Sequence, residues 1–224
     1  MLTCNDICLD YVEATRVTHA LQGVSLDFAP NKLHGIMGPS GSGKSSLLYI
    51  LCGLKSPSSG NVFIDGKSIT KMPETERASL RSERFGFVFQ QPFLLNYLTA
   101  LENILVGVSP STLTISTQKA EALLTDLGLD GIGDKYPSML SGGERQRVAV
   151  ARALIGNPSI VFADEPTAAL DKENGYKVMQ ALAKWAVDHT VIVVTHDADM
   201  LKGADVVHYL MSGCLVDNPH TNVR

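Results

Sequence analysis

The sequence has no apolar run long enough to cross a membrane and no secretory leader. Its apolar stretches fall well short of the ~18 residues that a membrane-spanning helix needs. The first residues, Met1–Asp6, have neither the basic flank nor the apolar core of a signal peptide. These absences predict a soluble, cytoplasmic protein.

Basic residues and cysteines are also few. The 224 residues carry 19 Lys+Arg against 23 Asp+Glu, a formal net charge of −4, with no long basic run. Because nucleic-acid binding needs a basic face, this balance disfavours nucleic acid as a partner.

Cys4 and Cys8 could face the same side of a strand, but no second Cys/His pair stands at ligand spacing. The sequence therefore predicts reduced, ordinary thiols rather than a zinc site.

What the sequence does have is a glycine- and serine-rich stretch, Gly38–Ser45, directly after the apolar run Leu33–Met37. It fits the phosphate-binding pattern G-x-x-x-x-G-K-[ST], with a strand-like segment before it and a helix-like one after. Lys44 would place a charge on the outer phosphates, and the Ser45 hydroxyl is placed to bind Mg²⁺. The alternative is a flexible Gly/Ser turn, which this context disfavours. We predict that the nucleotide phosphates are bound by Gly38, Pro39, Ser40, Gly41, Ser42, Gly43, Lys44, Ser45 and Ser46.

Hydrophobic periodicity indicates an α/β chain with two additions. Alternating apolar residues at Ile7–Tyr11 and at Val24–Phe28 predict half-buried antiparallel strands, separated by a polar turn over Glu13–Thr18. From Pro92 to about Gly156 the pattern becomes helical. The layout is a phosphate-loop core with an N-terminal antiparallel β layer and an inserted α-helical subdomain.

The last third of the chain predicts the parallel part of the sheet. Ile160–Ala163 and Val191–Val194 are continuously apolar, as expected of strands covered on both faces, and Lys172–Val187 predicts the crossover helix between them. We therefore expect a single domain over residues 1–224. Its core and β layer would take about 1–91 and 157–224, and its helical subdomain about 92–156.

Two carboxylates follow the first of these strands, Asp164 and Glu165. In a phosphate-loop protein an Asp at such a strand end typically orders the Mg²⁺ shell. An adjacent Glu is a candidate for polarising the attacking water. The pair could also be a solvated strand end, but the presence of a phosphate loop in the same chain favours a catalytic role.

A second glycine turn precedes another helix-like segment, where Leu140–Arg147 has the sequence Leu-Ser-Gly-Gly-Glu-Arg-Gln-Arg. A Ser-Gly-Gly turn that opens a long helix offers free N–H groups and a hydroxyl to an anion. A chain that binds one ATP does not obviously need two such sites. The simpler alternative is an N-capped helix with Arg145 and Arg147 on a solvated face.

Together these motifs resemble the nucleotide-binding subunits of ABC transporters, over essentially the whole chain. The matching features, in order, are Tyr11, the loop 38–45, Gln90, Leu140–Glu144, Asp164–Glu165 and His196 after a strand. The resemblance implies a RecA-like core and an ATPase whose ligands are ATP and Mg²⁺.

The resemblance also implies roles for single residues. Tyr11 would stack on adenine, although it could equally be a strand residue packed on the β layer. Gln90 would contact Mg²⁺ and the attacking water, completing a metal set with Ser45 and Asp164. His196 would bond the γ-phosphate, so that Glu165, His196 and Gln90 form the catalytic group.

A dimer is implied by the same resemblance. Ser141, Gly142 and Gly143 would bind the γ-phosphate held by a second copy of the chain, and Asp171 matches the loop that crosses the dimer interface. Two chains would pair head to tail, with each ATP between the phosphate loop of one and the Ser-Gly-Gly turn of the other.

Two positions depart from the commonest family pattern: Glu144 stands where Gln is usual, and Ala168 where Ser is common. The glutamate form, together with Phe87–Gln91, resembles a bacterial subgroup. That subgroup contains the lipoprotein-releasing, macrolide- or peptide-exporting and cell-division ATPases, many of which transmit force through the membrane.

The expected partner is a separate membrane permease, which would hold the chain peripherally on the inner face of the cell membrane. Pro92–Leu98 is predicted to touch it, through Phe93 or Leu95. One alternative is a soluble ABC-type ATPase of DNA repair or ribosome work, but such proteins usually add coiled coils, zinc modules or a second cassette. Another is a small-molecule kinase, which has no use for the Ser-Gly-Gly turn or His196.

Overall fold

Two β-sheets face each other across a buried helix. The computed structural model of the protein describes residues 1–13, 16–106, 108 and 113–217. The first sheet is antiparallel, in the order β2-β1-β4-β5, and is built from β1 (Leu2–Glu13), β2 (Arg16–Phe28), β4 (Ser59–Ile64) and β5 (Lys67–Ser68). It is the predicted N-terminal β layer.

The second sheet has the order β10-β9-β3-β8-β7-β6 and is parallel except at β10. Its strands are β3 (Leu33–Met37), β6 (Phe85–Val88), β7 (Ile160–Asp164), β8 (Thr190–Thr195), β9 (Val206–Met211) and β10 (Cys214–Val216). Every residue of β7 and β8 is buried, as their unbroken apolar runs predict.

The helices are α1 (Lys44–Leu51), α2 (Glu74–Arg84), α3 (Ala100–Leu105), α4 (Leu113–Asp126), α5 (Gly142–Leu154) and α6 (Lys172–Trp185). One apolar core joins α1 to both sheets, and a second covers the other face of the parallel sheet with residues of α3 to α6. The α/β fold class is confirmed. None of the described helices is long and apolar enough to span a bilayer.

The β layer differs from its expected alternation in one place. Asp6 has a positive φ of 51°, and the register shifts between Cys4 and Ile7, which are both fully buried. This bulge turns Cys8 away from the side that Cys4 faces, so the expectation that the two thiols share a side is wrong. The strand β2 also begins at Arg16, inside the stretch expected to be a polar turn. No metal-binding cluster exists among the described residues.

Two stacked histidines lie on neighbouring strands, the buried His34 on β3 and the half-buried His208 on β9. The rings of His34 and His208 are stacked with centroids 6.0 Å apart, and Phe28 meets both edge-on. His34 Nε2 lies 2.9 Å from the carbonyl of Ala29, whereas His34 Nδ1 and His208 Nε2 are buried without a partner. Burial lowers the pKa of both rings, and the neighbouring His34 lowers the pKa of His208 further.

This pair should make the fold sensitive to acid. Because both pKa values are lowered on folding, the unfolded chain binds more protons, so the free energy of unfolding should fall as the pH drops below the unfolded value of ~6.5. Urea denaturation at pH 7.5 and at pH 5.5 measures the decrease in the free energy of unfolding between the two pH values. In the variant His208→Phe, which keeps a ring against Phe28 but cannot titrate, the loss should be smaller. An equal loss in both proteins would exclude the pair as its source.

Candidate functional site

The phosphate loop, Asp164, Glu165 and His196 meet at one edge of the parallel sheet. Carboxyl ends of parallel strands share an edge, and ligands bind there in α/β proteins. The loop follows β3, Asp164 ends β7, and His196 follows β8, which pairs with both of those strands.

The loop is shaped by glycines that admit no other residue. Gly43 caps α1 with φ 100°, in the left-handed region that favours glycine. A Cβ on Gly38 would lie 2.0 Å from the carbonyl oxygen of Leu210, so the loop can pass β9 only without a side chain. The first N–H groups of α1 then point into the loop, where they and the helix dipole favour an anion.

Lys44 lies inside this loop and not in solvent. Only 6% of the residue is exposed, and its Nζ donates to the carbonyl oxygens of Gly38 (2.8 Å) and Pro39 (3.0 Å). Burial lowers the pKa of the ammonium, while Glu165 and Asp164 act to raise it. A desolvated cation at this place gains most from an anionic partner, such as a nucleotide phosphate.

Ser45 and Asp164 form the pair that fits a magnesium ion. Asp164 is 5% exposed, and its Oδ1 accepts a hydrogen bond of 2.8 Å from Ser45 Oγ. A hydroxyl and a carboxylate oxygen are hard donors of the kind that Mg²⁺ prefers. The residues present therefore fit the metal that the sequence predicts.

Tyr49 is a member of this group that sequence analysis missed. It lies on α1 four residues after Ser45, and its hydroxyl donates to Asp164 Oδ2 at 2.7 Å. Because residues four apart lie on the same face of a helix, the spacing between Ser45 and Tyr49 could have predicted that both side chains reach the same site.

Glu165 and His196 touch each other directly. His196 Nδ1 lies 3.0 Å and 3.1 Å from the two Glu165 carboxylate oxygens, and Lys44 Nζ is 3.9 Å from Oε1. Glu165 also has a positive φ of 45°, a conformation that costs about 1–3 kcal/mol and that clusters at active sites. The backbone thus holds the carboxylate over the loop at an energetic cost.

Tyr11 lines the other end of a cleft that runs along the loop. The cleft has a volume of ≈640 Å³, large enough for a nucleotide, and is also lined by Val17, Gly43 and Lys44. The Tyr11 ring is 40% exposed, its hydroxyl is 3.1 Å from Ser46 Oγ, and Lys55 Nζ lies 4.4 Å from the ring centre. The ring is therefore available for stacking.

The Ser-Gly-Gly turn is the N-terminus of α5, at a separate place on the protein. Ser141 Oγ accepts from Glu144 N, and Glu144 Oε2 accepts from Ser141 N at 2.7 Å, which is a capping box. These bonds lower the pKa of Glu144, so the unusual acid at this position stays ionised and caps the helix.

Asp171 is tied to this turn through α6. It caps α6 by accepting from Asn174 N at 2.9 Å, while the Asn174 side chain donates to Asp171 Oδ2 at 2.6 Å. Asn174 Oδ1 in turn accepts from Arg147 Nη1 on α5. The structure therefore brings Ser141, Gly142, Gly143 and Asp171 into one group, and none of them lines the cleft beside the phosphate loop. No motif indicated the linking roles of Asn174 and Arg147.

Gln90 is exposed just beyond β6, whose residue Val88 pairs with Ala163 next to Asp164. This register puts Gln90 at the same sheet edge as the other site residues. The preceding residue is held by α5, because Gln146 Nε2 donates to the carbonyl of Phe89 at 2.9 Å.

Comparison with known proteins gives matches over almost the whole chain. A sequence profile of the family described as ABC transporter matches residues 21–168. The chain is 38% identical over 219 residues to the lipoprotein-releasing system ATP-binding protein LolD of Blochmanniella floridana, covering 96% of this chain and 93% of the relative.

Solved structures agree with the sequence matches. Two dimeric structures of the ATP-binding cassette MJ0796, one described as a bacterial ABC transporter cassette and one as a post-hydrolysis state with ADP and Pi, are both 36% identical to this chain. Their TM-scores are 0.89 and 0.88, and each match covers 97% of both chains. A cbiO1 structure from Clostridium perfringens is 28% identical, with a TM-score of 0.82 over 96% of this chain and 86% of that one.

Proposed function

The chain belongs to the ABC transporter family and is an ATPase, and from this premise we propose that it drives a separate membrane permease as a head-to-tail dimer. The observation that carries the proposal is the convergence of Lys44, Ser45, Asp164, Glu165 and His196 at one sheet edge. These side chains come from distant parts of the chain, yet they supply a cation, a metal ligand pair and a base beside one phosphate loop.

The phosphates of ATP take the place of the loop carbonyls as partners of Lys44. Ser45 Oγ, the Asp164 carboxylate and the Gln90 side chain would hold Mg²⁺. When bound, Mg²⁺ offsets negative charge on the outer phosphates. The adenine stacks on Tyr11, which adds affinity without much choice of base, because every base has a π-face.

Glu165 is the general base of hydrolysis. Its carboxylate accepts a proton from the attacking water, and its fixed backbone conformation holds it over the loop. His196 is bonded to Glu165 before ATP arrives and turns to the γ-phosphate when the substrate is in place. The two residues are thereby kept as a unit in the free chain.

A second copy of the chain completes the site. The Ser141 turn is a helix N-terminus of the kind that binds anions, it does not line the cleft beside the phosphate loop of its own chain, and the MJ0796 relatives are dimers. In the proposed dimer the helical subdomain, about 92–156, carries Ser141, Gly142 and Gly143 to the γ-phosphate on the partner. Hydrolysis removes that phosphate and with it the bond between the two copies.

The permease docks beside the segment that follows Gln90. Phe93 is 62% exposed with φ 44°, and it borders a groove of ≈490 Å³ lined also by Phe87, Phe89 and Leu95. Arg152 at the end of α5 donates to the carbonyl oxygens of Phe93 (2.8 Å) and Pro92 (2.7 Å). The groove is thus fixed to the same helix that carries the Ser141 turn, so dimer closure and permease movement are linked.

Replacing Phe93 by glutamate should abolish co-purification with the permease, because a charge would then face an apolar groove. ATP binding should be unchanged, since Phe93 lies away from the phosphate loop. Tyr97→Glu, in the same segment but outside the groove lining, is the matched control. If the Phe93 variant still recovers the permease as well as the wild type does, the docking surface lies elsewhere.

The cargo belongs to the lipoprotein, peptide or drug type, and transport proceeds by export or force transmission. The similarity to a lipoprotein-releasing ATP-binding protein supports this assignment. The chain itself is cytoplasmic and peripheral, held on the inner face of the membrane by its permease. A soluble, non-transport ATPase of the same family would instead be recovered with ribosomes or DNA in the same purification.

A further inference from the structure

Tyr49 donates a hydrogen bond to the carboxylate that we assign to Mg²⁺. Its Oη lies 2.7 Å from Asp164 Oδ2, while Ser45 Oγ lies 2.8 Å from Asp164 Oδ1. One helix, α1, therefore holds both oxygens of one carboxylate from two successive turns. Bonds from O–H to an ionised oxygen are short and strong, as this one is.

The backbone of Asp164 fixes the position of its Cα but not the orientation of its carboxylate, so hydrogen-bond donors are needed for that. Asp164 ends a buried strand, so its Cα is well held by β6 and β8 on either side. The last torsion of an aspartate side chain is broad, however, and the plane of the carboxylate can turn. A donor on each oxygen fixes that plane.

The two donors differ in what happens when the metal arrives. Under the proposed function Ser45 would itself be a ligand of Mg²⁺, so its bond to Asp164 Oδ1 would not be kept with the metal bound. Tyr49 is not a metal ligand and keeps its bond to Asp164 Oδ2. Burial first, and then the neighbouring Asp164, raises the pKa of the Tyr49 phenol, so the hydroxyl stays neutral and able to donate.

We propose that Tyr49 is a positioning residue for the magnesium site, holding the Asp164 carboxylate plane so that Oδ1 faces the metal. The inference rests on the proposed function of Ser45 and Asp164. It assigns no ligand role to Tyr49 itself, which acts only through Asp164. Partners of this kind typically change metal affinity by about 10- to 100-fold when they are removed.

The test compares binding of a nonhydrolysable ATP analogue in Mg²⁺ and in EDTA, by calorimetry at protein concentrations that keep the chain monomeric. The ratio of the two affinities is the tightening caused by the metal. Tyr49→Phe should reduce this ratio by about tenfold and leave the affinity in EDTA unchanged. The ring remains in place, so the fold should persist, which thermal melting checks.

Two comparisons separate positioning from packing. Tyr176→Phe, on the exposed part of α6, removes the same hydroxyl elsewhere and should leave the ratio unchanged. In an Asp164→Asn background, Tyr49→Phe should have no further effect on the ratio, because the carboxylate through which it acts is gone.

Three outcomes would overturn the inference. An unchanged ratio in Tyr49→Phe would show that the hydrogen bond does not position the metal site. Equal loss of affinity in Mg²⁺ and in EDTA would mean that Tyr49 only packs the helix under the loop. A wild-type ratio of one would remove the metal site of the proposed function together with this inference, and so distinguishes the two failures.

Discussion

Replacing Glu165 by glutamine is expected to lower ATP hydrolysis by on the order of a hundredfold or more, the scale of a lost general base. The amide has the shape of the carboxylate and can still face His196, whose Nδ1 lies 3.0 Å from Glu165 Oε1 in the wild type. It cannot accept a proton from water. Lys44 loses one of its two nearby carboxylates, so its charge is more available to phosphate. ATP binding should therefore persist, and ATP should hold the dimer closed.

Two measurements on the same protein check this result. Phosphate release gives the rate, and light scattering after size exclusion gives the dimer fraction with ATP. Glu173→Gln, an exposed acid of α6 that pairs with Lys177, makes the same chemical change away from the site and should behave as the wild type. Full hydrolysis by the Glu165 variant would remove this residue from the role of base.

Replacing Ser141 by arginine is expected to abolish ATP-driven dimerisation and, with it, hydrolysis. The new side chain would fill the helix N-terminus where the partner's γ-phosphate must approach, and the capping hydroxyl would be lost. Loss of such a cap costs about 0.5–2 kcal/mol, which a domain with this much buried core should tolerate. Nucleotide binding to the single chain should be intact, because Lys44, Ser45 and Asp164 are untouched.

The Ser141 experiment needs a control for the added charge. Ala78→Arg adds the same side chain to the exposed face of α2, outside the groove beside Phe93, and should leave dimerisation unchanged. Circular dichroism shows whether α5 is still formed without its cap. A Ser141→Arg protein that is folded and still dimerises with ATP would exclude the Ser-Gly-Gly turn from the site.

The fold could be predicted where burial leaves a pattern in the sequence. β7 and β8 are buried on both faces and are apolar throughout, and α1 follows a loop of known shape. The helix α2 could not be predicted in this way, because none of its residues is buried. Only Leu80 packs, partly buried, against the core, and a polar contact adds to it, since Arg81 bonds the carbonyl of Gly53 at 2.9 Å.

Some residues of the candidate site could be predicted from the sequence and others could not. Residues that we propose to contact phosphate or metal have fixed chemistry and fixed spacing, so Lys44, Ser45 and Asp164 belong to motifs. Residues that act through others have no such constraint. Tyr49 reaches the Asp164 carboxylate through the packing of α1 on β7, and Asn174 accepts from Arg147 only because α6 packs beside α5.

In the proposed dimer each ATP is shared between the phosphate loop of one copy and the Ser141 turn of another. Mixing two inactive variants, Lys44→Ala and Ser141→Arg, tests it most directly. In a mixed dimer one site has both defects, and the other combines an intact loop with an intact turn. With different fluorescent labels on the two variants, ATP should produce energy transfer in the mixture, although neither variant dimerises alone. A mixture that stays as inert as its components, or a Ser141 variant that closes and hydrolyses ATP alone, would contradict the shared site.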